Sequence, residues 1–127
     1  MTPQIRRAVE RGFTLIELLI VVAIISIIAA VAVPSLLRSK QTGSEVAAAA
    51  SLQAISKAEV MYSLSCGAGG FAVSLPTLGT PSPGTSEGYL SADLIGGAVV
   101  AKSGYNVTLM AGAGAAAGPN DCNGVAT

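Results

Sequence analysis

Residues 13–33 read FTLIELLIVVAIISIIAAVAV, a run of 21 residues in which Glu17 is the one ionisable side chain. At about 1.5 Å of rise per residue, a helix of that length crosses a hydrocarbon core about 30 Å thick. Ile and Val lower intrinsic helix propensity. In lipid, however, the backbone has only itself to hydrogen-bond with, so helix is the expected state. Arg6, Arg7 and Arg11 crowd the residues ahead of the run, and arginines in that place are expected to stay on the cytoplasmic side of a membrane.

Pro34 follows the run directly and has no amide to bond back to Ala30. A kink or local melting of the helix is expected there, the plainer reading being that the span ends. Residues 35–65 continue as a helix of different character. Ala48, Leu52, Ile55, Ala58 and Tyr62 recur at spacings of three and four and define an apolar stripe, with Lys40, Glu45, Gln53 and Lys57 largely off it. This half is amphipathic and is expected to lie on a soluble domain. Gly43 weakens it by roughly 1 kcal/mol relative to Ala.

The helix should stop near Ser65, because Cys66, Gly67, Ala68, Gly69 and Gly70 follow. Residues 66–88 carry Pro76, Pro81 and Pro83 and read as a long connection or surface loop. Residues 97–102 and 105–110 read as short strands joined by a two-residue turn at Ser103 and Gly104. Tyr105, Val107 and Leu109 would then share one face, toward the helix. Residues 111–127 give no clear element and few large apolar side chains, so they are not expected to complete the cover. A soluble segment of residues 38–127 is expected to fold poorly by itself, since an isolated hairpin is marginal in water.

Composition removes several function classes. The net charge is zero, there is no Trp, and only two Phe and three Tyr are present. With no basic stripe and little to stack on bases, nucleic acid is not an expected partner. The chain has no His, so neither a Ser-His triad nor a zinc site built on its two cysteines can form. No metal and no cofactor is expected. Cys66 and Cys122, with 55 residues between them, read as one disulfide in an oxidising compartment, against the alternative of two unpaired thiols. Closing such a loop contributes roughly 4 kcal/mol in the chain-entropy account. The glycines at 112, 114 and 118 resemble a dinucleotide-binding pattern, but the nine residues after them leave no room for its helix and strand. Asn106, Val107 and Thr108 form a sequon inside an expected strand. Glu45, Glu59 and Glu87 read as solvated helix or loop residues.

Gly12, Phe13, Thr14, Leu15, Ile16 and Glu17, behind basic residues and at the start of a long apolar helix, closely resemble the processing site of type IV prepilins and type II secretion pseudopilins. Pro34 resembles the proline found partway along the N-terminal helix of many such pilins. The resemblance is specific from Arg11 to about Lys40 and weaker beyond. It implies cleavage of the Gly12 to Phe13 bond by a prepilin peptidase and methylation of the new Phe13 amine. It also implies pairing of Glu17 with the N-terminal amine of a neighbouring subunit, which would set the register of assembly. A midplane carboxylate costs about 2.5–3.5 kcal/mol on insertion scales, so such a partner has a physical reason. Two rivals are weaker. Ala30, Val31 and Ala32 make an A-x-A site of the signal-peptide kind, against which a glutamate early in the apolar run and the GFTLIE string both argue. A plain anchor would let Glu17 snorkel to the headgroups.

The expected architecture is an α+β pilin fold, in which a long kinked N-terminal helix packs on a small antiparallel sheet. Residues 1–12 form the leader, 13–34 the transmembrane and assembly half of the helix, 35–65 its amphipathic half, and 66–127 a loop and small β-region. Related chains carry more strand after such a cysteine. The expectation is a fragment that stops early, the other reading being a branch with a reduced sheet. The resemblance implies a structural subunit, not an enzyme, that forms homo-oligomeric filaments. Its partners would be the prepilin peptidase, a pilus or type II secretion assembly platform and, before assembly, inner-membrane lipid. A pseudopilin of protein export is the alternative, and a single-pass anchored binding module is less favoured. Loss of residues 1–12 removes three of seven basic and one of seven acidic residues, leaving four against six and a side-chain charge of −2. Burial of helices against one another, not opposite charge, must then drive assembly.

Intact-mass analysis of the membrane-bound protein is expected to give a chain beginning at methylated Phe13, and Gly12→Val is expected to retain the leader. A chain beginning at Val33 would mean an ordinary signal peptide.

Overall fold

The computed structural model describes residues 12–127; the leader arginines Arg6, Arg7 and Arg11 lie outside the described residues. The chain divides into two compact units, Met1–Lys40 and Gln41–Thr127. One helix, α1 (Leu15–Ser65), runs through the division. Helix is assigned without interruption through Pro34, so the missing amide does not melt α1. Ser26 Oγ donates to the Val22 carbonyl at 2.7 Å, which satisfies a hydroxyl inside the apolar half.

In the second unit α1 presents Ser51, Ile55, Ala58 and Tyr62 inward. Leu52, expected on this stripe, is instead 61% exposed. The buried row steps through 51, 55, 58 and 62, and Leu52 stands about 100° around the helix from Ser51. Ser51 tolerates burial because its hydroxyl donates to the Ala47 carbonyl at 2.9 Å.

The segment after the helix is not a plain loop. It contains α2 (Leu75–Gly79) and a 3₁₀ turn at Ala92–Leu94. Leu75, Leu78, Leu90 and Leu94 join Ile55, Ala58, Tyr62, Cys66, Ala72 and Val107 in one core. The amides of Tyr89 and Leu90 both donate to the Leu78 carbonyl, at 2.8 and 3.1 Å, which ties the returning chain to α2. Gly88 is needed there, since a Cβ would collide with the Gly79 carbonyl oxygen.

Strands β1 (Val99–Lys102) and β2 (Tyr105–Thr108) form an antiparallel pair with Lys102 opposite Tyr105. The turn lies at Ser103 and Gly104, as the sequence indicates. Both have positive φ, 53° and 82°, as a two-residue type I′ turn requires. The shared face is only partly realised. Val107 is buried and Leu109 half-buried, but Tyr105 is exposed. Residues 111–127 add a single bridge, Asn120 to Ala126, and bury Asp121 and Thr127. The tail therefore covers the end of α1 through polar contacts, which a count of its aliphatic residues does not reveal.

Leu78→Ala is expected to lower the unfolding free energy of the second unit by about 2–5 kcal/mol, and Leu52→Ala by no more than about 0.5 kcal/mol. Thermal unfolding of the full chain in detergent, followed by circular dichroism, distinguishes the two. Equal losses would contradict the inward row.

Candidate functional site

At the start of α1, Gly12, Phe13 and Thr14 precede the helix and are exposed. Thr14 occupies the N-cap and Glu17 the third helical position. The Glu17 amide donates to Thr14 Oγ1 at 3.3 Å, and the Thr14 hydroxyl lies 3.4 Å from Glu17 Oε2. The Leu18 amide reaches the Thr14 carbonyl at 3.3 Å. This is half of a capping box: Thr14 takes one of the four free amides at the helix start, and Glu17 brings negative charge to the positive end of the helix dipole. The Thr-x-x-Glu signature before an apolar run was present in the sequence, but the resemblance drew attention to Glu17 alone. Among the described residues, nothing lies within 4 Å of where a Cβ on Gly12 would stand.

Behind this end the apolar half of α1 is bare. Leu15 is 81% exposed, Ile27 70% and Val31 75%. The helix is long and apolar enough to cross a membrane, with none of its most apolar window buried inside the structure.

A second cluster fastens the other end of α1, within the second unit. Cys66 and Cys122 are joined by a disulfide with their Cα atoms 4.8 Å apart. One turn earlier, Tyr62 Oη donates to Asp121 Oδ2 at 2.8 Å, while the amides of Val125 and Asn123 donate to Asp121 Oδ1 at 2.7 and 2.9 Å. Burial raises the Asp121 carboxyl, but the Val125 amide, the Tyr62 hydroxyl and the neighbouring amides outweigh it and hold the group below its ordinary range. Tyr62 is pushed well above the usual phenol range, first by burial and then by its bond to Asp121. Its ring stands edge-on to Tyr89, with centroids 5.6 Å apart. The Tyr62 and Asp121 pairing joins residues 59 apart and had no signal in the sequence.

Glu59 is a correction. Far from being solvated, it accepts the Ala72 amide on Oε2 at 2.9 Å, and its Oε1 is buried without a partner. Burial raises its carboxyl, against the lowering effect of the Ala72 amide. Glu59 lines an open groove of about 940 Å³ with Phe71, Val73, Leu109 and Met110. Among the described residues there is no cluster of metal-ligating side chains.

Residues 7–33 match the family described as the prokaryotic N-terminal methylation motif. Over 54 residues the chain is 46% identical to the type IV wide pilus major component PilA4 of Thermus thermophilus, covering 42% of this chain and 41% of that relative. The match thus spans about two fifths of the relative's length. No solved structure matches significantly. Over these residues the chain is similar to type IV pilins.

The depressed Asp121 carboxyl fixes a sign. Its contribution to stability is present above the unfolded carboxyl value of about 3.9 and is lost as pH falls through the lower native value. The melting temperature is therefore expected to drop on acidification below about pH 4, and Asp121→Asn should flatten that drop. Glu59 has the opposite sign, because its raised native value favours the protonated form. Glu59→Gln should accordingly remove a loss of stability that sets in as pH rises past about 4.3. Thermal melts across pH read both slopes.

Proposed function

We propose that the chain is the precursor of a structural subunit of a type IV pilus or pilus-like filament. Prepilin peptidase cuts between Gly12 and Phe13, the Phe13 amine is methylated, and subunits assemble through the apolar half of α1. The observation that carries the reading is this half helix, its large aliphatic side chains exposed and Glu17, near its start, its one ionisable side chain up to Val33. Such a surface needs lipid before assembly and other helices after it.

The precursor would sit in the bacterial inner membrane as a single span with its N-terminus in the cytoplasm, consistent with the arginines at 6, 7 and 11. When the helix leaves lipid for the filament, Glu17 would meet the Phe13 amine of a neighbouring subunit and both charges would be compensated. That pairing gives the helices one register. Pro34 would let the helix bend where the assembly half meets the amphipathic half. A secretion pseudopilin would share every one of these features. The relative's description as a pilus component favours the pilus.

Glu17→Ala is expected to insert into the membrane normally and to abolish filaments, as judged by electron microscopy of sheared surface material and by membrane fractionation. Normal filaments from Glu17→Ala would overturn the register role, and wild-type protein that never leaves the membrane would favour a plain anchor. Fibres confined to the periplasm would assign the chain to secretion.

A further inference from the structure

We propose that Tyr62 and Asp121 are positioning residues for oxidative closure of the Cys66–Cys122 disulfide, holding the two thiols of the reduced chain together before an external disulfide oxidises them. Tyr62 lies four residues before Cys66, and Asp121 is the neighbour of Cys122. One hydrogen bond between them, 2.8 Å long, therefore brings both cysteines to the same place. Further contacts need no sulfur bond. The Cys122 amide donates to the Cys66 carbonyl at 2.8 Å, and Asn123 Nδ2 donates to the Pro81 carbonyl at 3.3 Å. The tail turn is itself held by the Asn123 and Val125 amides on Asp121 Oδ1. Without these contacts, thiols 56 residues apart would meet only at the low effective concentration of a long flexible loop.

The side chains also differ in access. Cys66 is buried, whereas Cys122 is exposed. The Cys122 thiolate attacks one sulfur of a small-molecule disulfide and expels the first thiolate, leaving a mixed disulfide on Cys122. The Cys66 thiolate then attacks Cys122 Sγ and expels the second. Two protein thiols and one external disulfide become one protein disulfide and two external thiols. The two protons lost by the cysteines end on the released thiolates.

The test equilibrates the full chain in detergent with oxidised and reduced glutathione at neutral pH, traps thiols by acid and alkylation, and reads the effective concentration of the cysteine pair. Tyr62→Phe and Asp121→Ala are each expected to lower it roughly tenfold, the scale of a hydrogen bond to a charged group. The double variant should fall little further than the larger single effect, because the two side chains act as one unit. Val107→Ala, in the core but outside this contact, should leave the value unchanged and so controls for general destabilisation. Unchanged values in both single variants would overturn the proposal. So would additive losses in the double variant, or an equal loss in Val107→Ala.

Discussion

Apolar surface on the first half of α1 is the constraint on which the rest depends. Between Leu15 and Leu37, fifteen large aliphatic side chains are exposed. At about 1.5–3 kcal/mol for each such side chain taken from water to a buried site, the sum is on the order of 20–45 kcal/mol. That exceeds the roughly 5–15 kcal/mol by which a whole domain is stable. Such a surface is stable only against lipid or protein, and a function has to be read from what can cover it. Glu17 and Thr14 then acquire meaning as the polar end of a surface that is otherwise uniform.

The second unit faces the opposite problem, since its core is thin. Ten buried apolar residues, two of them alanines, are gathered by a short helix, a 3₁₀ turn and one hairpin. Small domains of this kind are usually stapled, and here a covalent and a polar fastener meet at the last turn of α1. Burying Asp121 would be costly if it were alone. It carries the Tyr62 hydroxyl and two amides on its carboxylate, which offsets the burial and ties the tail to the helix.

The parts of this architecture that follow from local rules were legible in the sequence. The end of α1 at Ser65 follows from the glycines after Cys66, and the turn at Ser103 and Gly104 from the strands on either side. The pairing of Cys66 with Cys122 followed from there being no other cysteine. What escaped notice depends on distant partners. Leu75 and Leu78 fill the core from a stretch whose prolines suggested only loop. Ser51 replaced Leu52 because the helix turns its row to suit the elements that pack on it. Glu59 became half-buried against the Ala72 amide, and nothing in either residue's neighbourhood announces the other. At the N-terminal end the capping role of Thr14 was local and readable, while the partner proposed for Glu17 belongs to another molecule.

The central claim is that the bare half of α1 is covered by the same segment of other copies. Electron cryo-microscopy of filaments sheared from cells tests it most directly. The account predicts a helical reconstruction in which residues 15–37 of neighbouring copies pack against one another without lipid, and in which each Glu17 carboxylate lies within about 3 Å of the Phe13 amine of another copy. A reconstruction with these helices on the outside, or a chain recovered only as single copies in membrane, would contradict it.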